Sequence, residues 1–184
     1  MKYVNDVKLT KEFLLPQVLS GIRIVLAISI LHLIFLYQFI ISFVLLLVAC
    51  LSDIIDGKIA RKLEVTSTFG AYFDVSTDFS LILIVFIGFV LLRVYPFWII
   101  ILICFMFFQF LFTSRSKEPV YDPVGKYIGT IHLIIIGTTL LFMYFYPNWV
   151  PYLIMLIILV VFDTISLVTR YRSIYKISRN QNKL

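Results

Sequence analysis

Charge is scarce in this chain. Only 14% of its 184 residues are Asp, Glu, Lys or Arg, and 61% are hydrophobic, whereas a soluble domain carries about 25% charged residues to cover its surface. A soluble globule is excluded, and the chain reads as an integral membrane protein. Cysteine is nearly absent too. Cys50 and Cys104 lie within apolar runs without metal-type spacing, which removes a disulfide framework and a zinc site and leaves two reduced packing residues. The two histidines, His32 and His132, have no ligand partner three or four residues away, so each reads as a helix-to-helix hydrogen bonder. There is no internal repeat and no low-complexity segment.

What is present is a series of long apolar runs. They cover residues 18–37, 39–60, 70–92, 95–113, 126–146 and 149–169. Each is continuous and near the roughly 20 residues that a transmembrane helix needs, whereas a barrel strand would take about ten alternating residues. Pro96 and the Pro147-Asn148 pair fall at connections, where proline can open a helix but not continue one. The expected fold is all-α: one domain over residues 1–184, six transmembrane helices in a bundle, and a short interfacial helix over residues 3–14. The first run is too long for a signal-peptide core and lacks a small-residue cleavage pattern, so it is expected to stay in the mature protein. The polar tail from Ser178 to Leu184 is expected to fray.

Basic residues are unevenly placed. Lys2, Lys8, Lys11 and Arg23 stand at the start, Lys58, Arg61 and Lys62 before the third run, Arg115, Lys117 and Lys126 before the fifth, and Arg170, Arg172, Lys176, Arg179 and Lys183 at the end; Arg93 alone falls on the other side. Basic connections stay cytoplasmic, so the expected location is the cytoplasmic membrane, multi-pass, with both termini in the cytosol. The net charge of +6 then lies along the anionic inner leaflet, and no nucleic-acid partner is expected.

Four of the ten acids sit together. The chain reads Asp53-Ile-Ile-Asp56-Gly57-Lys-Ile-Ala60-Arg61, eight further residues, then Gly70-Ala-Tyr-Phe-Asp74-Val-Ser-Thr-Asp78. The thirteen residues from Phe39 to Leu51, apolar but for Ser42, are too few to span a hydrocarbon core of about 30 Å, so the second helix must continue through Asp53 and Asp56. Both acids then share one helical stripe with Ala60, while Asp74 and Asp78 lie one turn apart on the next helix. Carboxylates at such depth cost several kcal/mol each and are tolerated where they face a cavity or a cation. Oxygen ligands without His or Cys select Mg²⁺ or Mn²⁺ over zinc. Gly57, Ala60 and Gly70 remove bulk beside them, which describes a slot for a phosphate-bearing molecule over metal.

This segment resembles the signature of the CDP-alcohol phosphatidyltransferase family, Asp-x-x-Asp-Gly-x-x-Ala-Arg, eight residues, Gly-x-x-x-Asp-x-x-x-Asp, and meets every fixed position. The resemblance implies six helices with cytosolic termini and active site, a homodimer, Mg²⁺ or Mn²⁺ as cofactor, and membrane-lipid partners. It implies Asp53, Asp56, Asp74 and Asp78 as the metal ligands, with Asp78 also taking the proton of the acceptor alcohol. Nucleotide binding would fall to Asp53, Gly57, Ala60, Arg61, Ser67 and Gly70. The reaction implied is transfer of a phosphatidyl group from CDP-diacylglycerol, or a CDP-linked archaeal lipid, to a small polar alcohol, with release of CMP.

For the acceptor, Pro16-Gln-Val-Leu-Ser20-Gly-Ile-Arg23 is similar to the Pro-Asn-x-x-Thr-x-x-Arg opening of phosphatidylglycerophosphate synthases, with Gln17 and Ser20 as departures. Gly125-Lys126 is similar to a Gly-Lys-x-x-Thr stretch of enzymes with phosphorylated acceptors, with Gly129 at the threonine position. Arg23, Arg115, Lys117 and Lys126 are the expected acceptor contacts, and basic side chains there suit an anion. Glycerol 3-phosphate is the expected acceptor, ahead of inositol phosphate and serine, although Phe79 stands where enzymes for the two phosphorylated acceptors often carry Lys or Arg. A divalent-cation transporter is the competing class; it accounts for the acids but not for Gly57, Ala60 and Arg61. A catalytically silent scaffold is a third. Asp163, alone in the sixth run, either completes the cavity or pairs with a nearby arginine.

Overall fold

The computed structural model describes residues 21–62, 68–114 and 125–181; within the helices the side chains of 55–62, 68–74, 112–114, 126, 176–178 and 180–181 fall outside that description. All regular structure among the described residues is helical. The helices are α1 (Gly21–Phe35), α2 (Phe39–Lys62), α3 (Thr68–Leu91), α4 (Trp98–Ser114), α5 (Ile128–Phe145) and α6 (Trp149–Gln181), with a single 3₁₀ turn at Gly125–Tyr127 before α5. The interfacial helix expected over residues 3–14 lies outside the described residues.

Helix positions follow the apolar runs, and one end departs from them. The sixth run was expected to stop at residue 169 and the tail to fray from Ser178, yet α6 continues to Gln181. Arg, Lys and Gln are good helix formers in water, so the loss of apolarity at residue 170 does not stop the helix. As expected, α2 runs straight through Asp53 and Asp56.

Among the described residues α5 and α6 are long and apolar enough to cross a bilayer. The other four contribute shorter apolar stretches, Gly21–Phe35, Phe39–Ile54, Val75–Leu91 and Trp98–Leu111. Only 17% of the apolar window of α6 is buried, and Ile154, Ile157, Ile158, Val161, Phe162, Ile165 and Val168 are all exposed along it. The core helix of a soluble protein would hide these residues; a surface this apolar is consistent with a membrane span.

The chain divides into two compact units, Met1–Gly88 and Phe89–Leu184. In the first, Ala27, Ile30 and Ile34 on α1, Leu46 and Ala49 on α2, and Leu81, Ile82, Val85 and Phe86 on α3 are buried. Gly88 lets α3 approach α1, since a Cβ there would stand 2.8 Å from Leu31 Cδ1. In the second unit the buried apolar residues are Phe89, Ile99, Ile103 and Met106, then Ile135, Ile136 and Leu140 on α5, and Leu159 on α6. Tyr95 lies edge-on to Phe89 and its hydroxyl is 2.6 Å from Thr139 Oγ1. Thr139 donates its own hydrogen to the Ile135 carbonyl, so Tyr95 is the donor to Thr139.

Two helix ends close in the same unusual way. After α1, Tyr37 N–H bonds Ile34 C=O and Gln38 N–H bonds Leu33 C=O; after α3, Arg93 N–H bonds Val90 C=O and Val94 N–H bonds Phe89 C=O. Both are Schellman closures, which require a left-handed residue that is normally glycine, and here Tyr37 and Arg93 supply it at φ 57° and 59°. A side chain in that region costs about 1 kcal/mol. Arg93→Gly is therefore expected to raise stability by roughly 0.5–1 kcal/mol, and Arg93→Val, β-branched, to lower it. Thermal unfolding of the detergent-solubilised protein checks both; equal melting temperatures for the two variants would remove backbone strain as the cause.

Candidate active site

Arg23, Asp53 and Asp78 meet at one level of three consecutive helices, although they are far apart in the chain. Arg23 stands twelve residues before the end of α1 and Asp53 fourteen after the start of α2; Asp53 stands nine before the end of α2 and Asp78 ten after the start of α3. Residues nearly equidistant from a short connection come side by side when the two helices run antiparallel. Helix periodicity then turns each side chain inward.

The contact itself is an ionic bridge. Arg23 Nη2 lies 2.6 Å from Asp53 Oδ1, and Nη1 donates to Asp78 Oδ1 at 2.5 Å. The Arg23 side chain is 1% exposed, while those of Asp53 and Asp78 are 43% and 42% exposed. A guanidinium withdrawn that far from water needs its charge matched, and the two carboxylates match it. Each acid keeps an open side toward the surroundings. Snorkelling of Arg23 to the headgroups, its ordinary fate near a helix end, does not occur.

The remaining expected residues are distributed as follows. Asp56, Gly57, Ala60 and Arg61 lie on α2, and Gly70 and Asp74 on α3, all beyond the described side chains. Ser67, Arg115 and Lys117 lie outside the described residues, and Lys126 belongs to the Gly125–Tyr127 turn with its side chain undescribed. Among the described residues no group of three His, Cys, Asp or Glu side chains gathers. Two carboxylates from adjacent helices that already converge on one cation are nevertheless a donor set that a hard divalent ion fits, with Asp56 one turn along from Asp53 and Asp74 one turn before Asp78.

The second unit holds a buried polar pair. His132 on α5 and Asp163 on α6 face each other with Nε2 3.6 Å from Oδ2, at 3% and 1% side-chain exposure. His132 thus faces a neighbouring helix, as expected, but at a separation longer than a hydrogen bond. The side chain that Asp163 faces is this histidine, where the sequence left open a place in the cavity or a nearby arginine. Nδ1 is 2.8 Å from the Ile128 carbonyl, an oxygen that can only accept, so Nδ1 carries a hydrogen and Nε2 is the nitrogen left to face the carboxylate. A signal for the pair was present: His132 stands thirteen residues before the end of α5 and Asp163 fourteen after the start of α6. Arg170, two turns further along α6, is also buried and lies 5.6 Å over the Phe110 ring, a cation–π contact that offsets part of the cost of burying its charge.

The family profile of CDP-alcohol phosphatidyltransferases matches residues 13–167, a stretch that contains all four signature acids and Arg23. No curated protein matches the chain.

Proposed function

The chain belongs to the CDP-alcohol phosphatidyltransferase family, and from that premise we propose that it moves a phosphatidyl group from CDP-diacylglycerol, or a CDP-linked archaeal lipid, to glycerol 3-phosphate. Phosphatidyl transfer from a CDP-alcohol to an alcohol acceptor is the reaction of the family, whose members are membrane-associated and in general depend on a divalent cation. The observation that carries the reading in this chain is the convergence of Asp53 and Asp78 on a single cation from adjacent helices.

Asp53, Asp56, Asp74 and Asp78 would hold the divalent ion, Mg²⁺ or Mn²⁺. Bound there, it would neutralise diphosphate oxygens and make CMP a better leaving group. The rest falls to the chain. Gly57, Ala60 and Gly70 leave room for the nucleotide beside the acids, with Arg61 and Ser67 offering a positive charge and a hydroxyl to it. Asp78 accepts the hydroxyl proton of the acceptor as its oxygen attacks the lipid-side phosphorus in line. One phosphorus–oxygen bond forms, the bond to CMP breaks, and the anhydride supplies the driving force, so ATP is not required. Arg115, Lys117 and Lys126 suit the phosphate of the acceptor. The proposed setting is six transmembrane helices in the cytoplasmic membrane, with site and termini facing the cytosol, assembled as a homodimer.

The test is CMP release from CDP-diacylglycerol with Mg²⁺ or Mn²⁺ and, in turn, glycerol 3-phosphate, inositol 1-phosphate, serine and inositol. Glycerol 3-phosphate is expected to give the highest rate. A higher rate with another alcohol overturns the acceptor assignment, and cation flux without CMP release under any condition would favour a transporter.

A further inference from the structure

We propose that Arg23 is a resident counter-charge for the acids, one that disfavours a bare divalent cation and favours a cation arriving with a diphosphate. The proposal rests on the reading of Asp53 and Asp78 as metal ligands. It makes metal loading and nucleotide binding one coupled event.

The argument is electrostatic and begins from the geometry. The guanidinium holds one oxygen of each acid at 2.5–2.6 Å and is almost wholly withdrawn from solvent. Arginine stays charged, so any dication that enters between the same carboxylates does so beside a fixed positive charge. That neighbour weakens the binding of metal alone. It strengthens the binding of a diphosphate, whose oxygens gain attraction from both the guanidinium and the metal. Metal and diphosphate thus each improve the site for the other, and by linkage the effect is mutual. The undescribed carboxylates of Asp56 and Asp74 add the same charge with or without Arg23, so the direction of the effect of Arg23 does not depend on them. Its burial adds to the effect, because water that would screen an exposed arginine is kept away from this one.

The measurement is Mn²⁺ affinity of the full-length protein in nanodiscs, followed by electron paramagnetic resonance with and without CDP, corrected for Mn²⁺ held by CDP in solution. No turnover is involved. In wild type, CDP is expected to tighten Mn²⁺ binding by about tenfold or more. In Arg23→Gln, Mn²⁺ without CDP is expected to bind about tenfold more tightly than in wild type, with the gain from CDP correspondingly reduced. Arg23→Lys, which keeps the charge, should behave like wild type; a role in packing or in gathering the acids would instead weaken Mn²⁺ in both variants. Weaker or unchanged Mn²⁺ binding in Arg23→Gln overturns the proposal. If that variant does not fold, wild type decides alone, since equal Mn²⁺ affinity with and without CDP also overturns it. Wild type that binds no Mn²⁺ in either condition removes the metal reading itself, a result distinct from tight, CDP-independent binding.

Discussion

CMP release by the Asp78→Asn protein is expected to fall about a thousandfold or more, with the lipid nucleotide still bound. Asn has the shape of Asp but cannot accept the acceptor's proton, and loss of a positioned base costs about 10²–10⁴ in rate, the upper part of that range corresponding to about 4–5 kcal/mol of transition-state stabilisation. Arg23 reports on whether the variant is otherwise intact. Its guanidinium keeps Asp53 at 2.6 Å when Asp78 is neutralised, so the buried charge is not left alone and the fold should survive. Asp53→Asn should also lose activity, but by weakening metal, so raised Mn²⁺ should recover part of it. Asp78→Asn should stay inactive at saturating Mn²⁺. Single-turnover CMP release over a Mn²⁺ series separates the two, and undiminished turnover in Asp78→Asn would strip that residue of its proton-accepting role.

His132→Leu is expected to destabilise the protein by about 3 kcal/mol or more, while His132→Leu combined with Asp163→Leu should lie within about 1–2 kcal/mol of wild type. Taking one partner from a buried pair leaves the other without compensation in a medium of low dielectric, typically a loss of 3–5 kcal/mol; replacing both by apolar residues is often neutral or better. Asp163 is fully buried and its carboxylate oxygens have no hydrogen-bond partner among the described residues, so the polar group it faces is the imidazole 3.6 Å away. Reversible unfolding in mixed micelles, with all four members of the double-mutant cycle, gives the coupling directly. Additive losses would mean that the two side chains do not support each other.

How much of this could be read from sequence differs from feature to feature. The extent of α2 was legible because the thirteen residues from Phe39 to Leu51 cannot span a bilayer, which obliges the helix to carry Asp53 and Asp56 with it. Connections at Pro96 and Pro147-Asn148 were legible from proline chemistry. The end of α6 was not, since polarity at Arg170 reports a change of solvent while helix propensity continues. Arg23 was singled out as a residue facing the site and expected to contact the acceptor, but its bridge to Asp53 and Asp78 depends on closures of 30 and 55 residues, which local periodicity does not encode. The same holds for His132 and Asp163. Each looked solitary along its own helix, and only their matched distances from the α5–α6 connection pair them.

The 33 residues of α6 make a rod about 50 Å long, some 20 Å more than the oily slab of a bilayer is thick. Arg170, Arg172 and Arg179 occupy the surplus, while Trp149 stands at the opposite tip and favours the headgroup layer. Sliding the rod inward would drown arginines in hydrocarbon, and sliding it outward would lift the tryptophan into water. In the proposed membrane setting the rod would thus be pinned vertically from both ends. Asp163, seven residues and so about 10 Å before Arg170, would then keep a fixed depth, level with the His132 it faces.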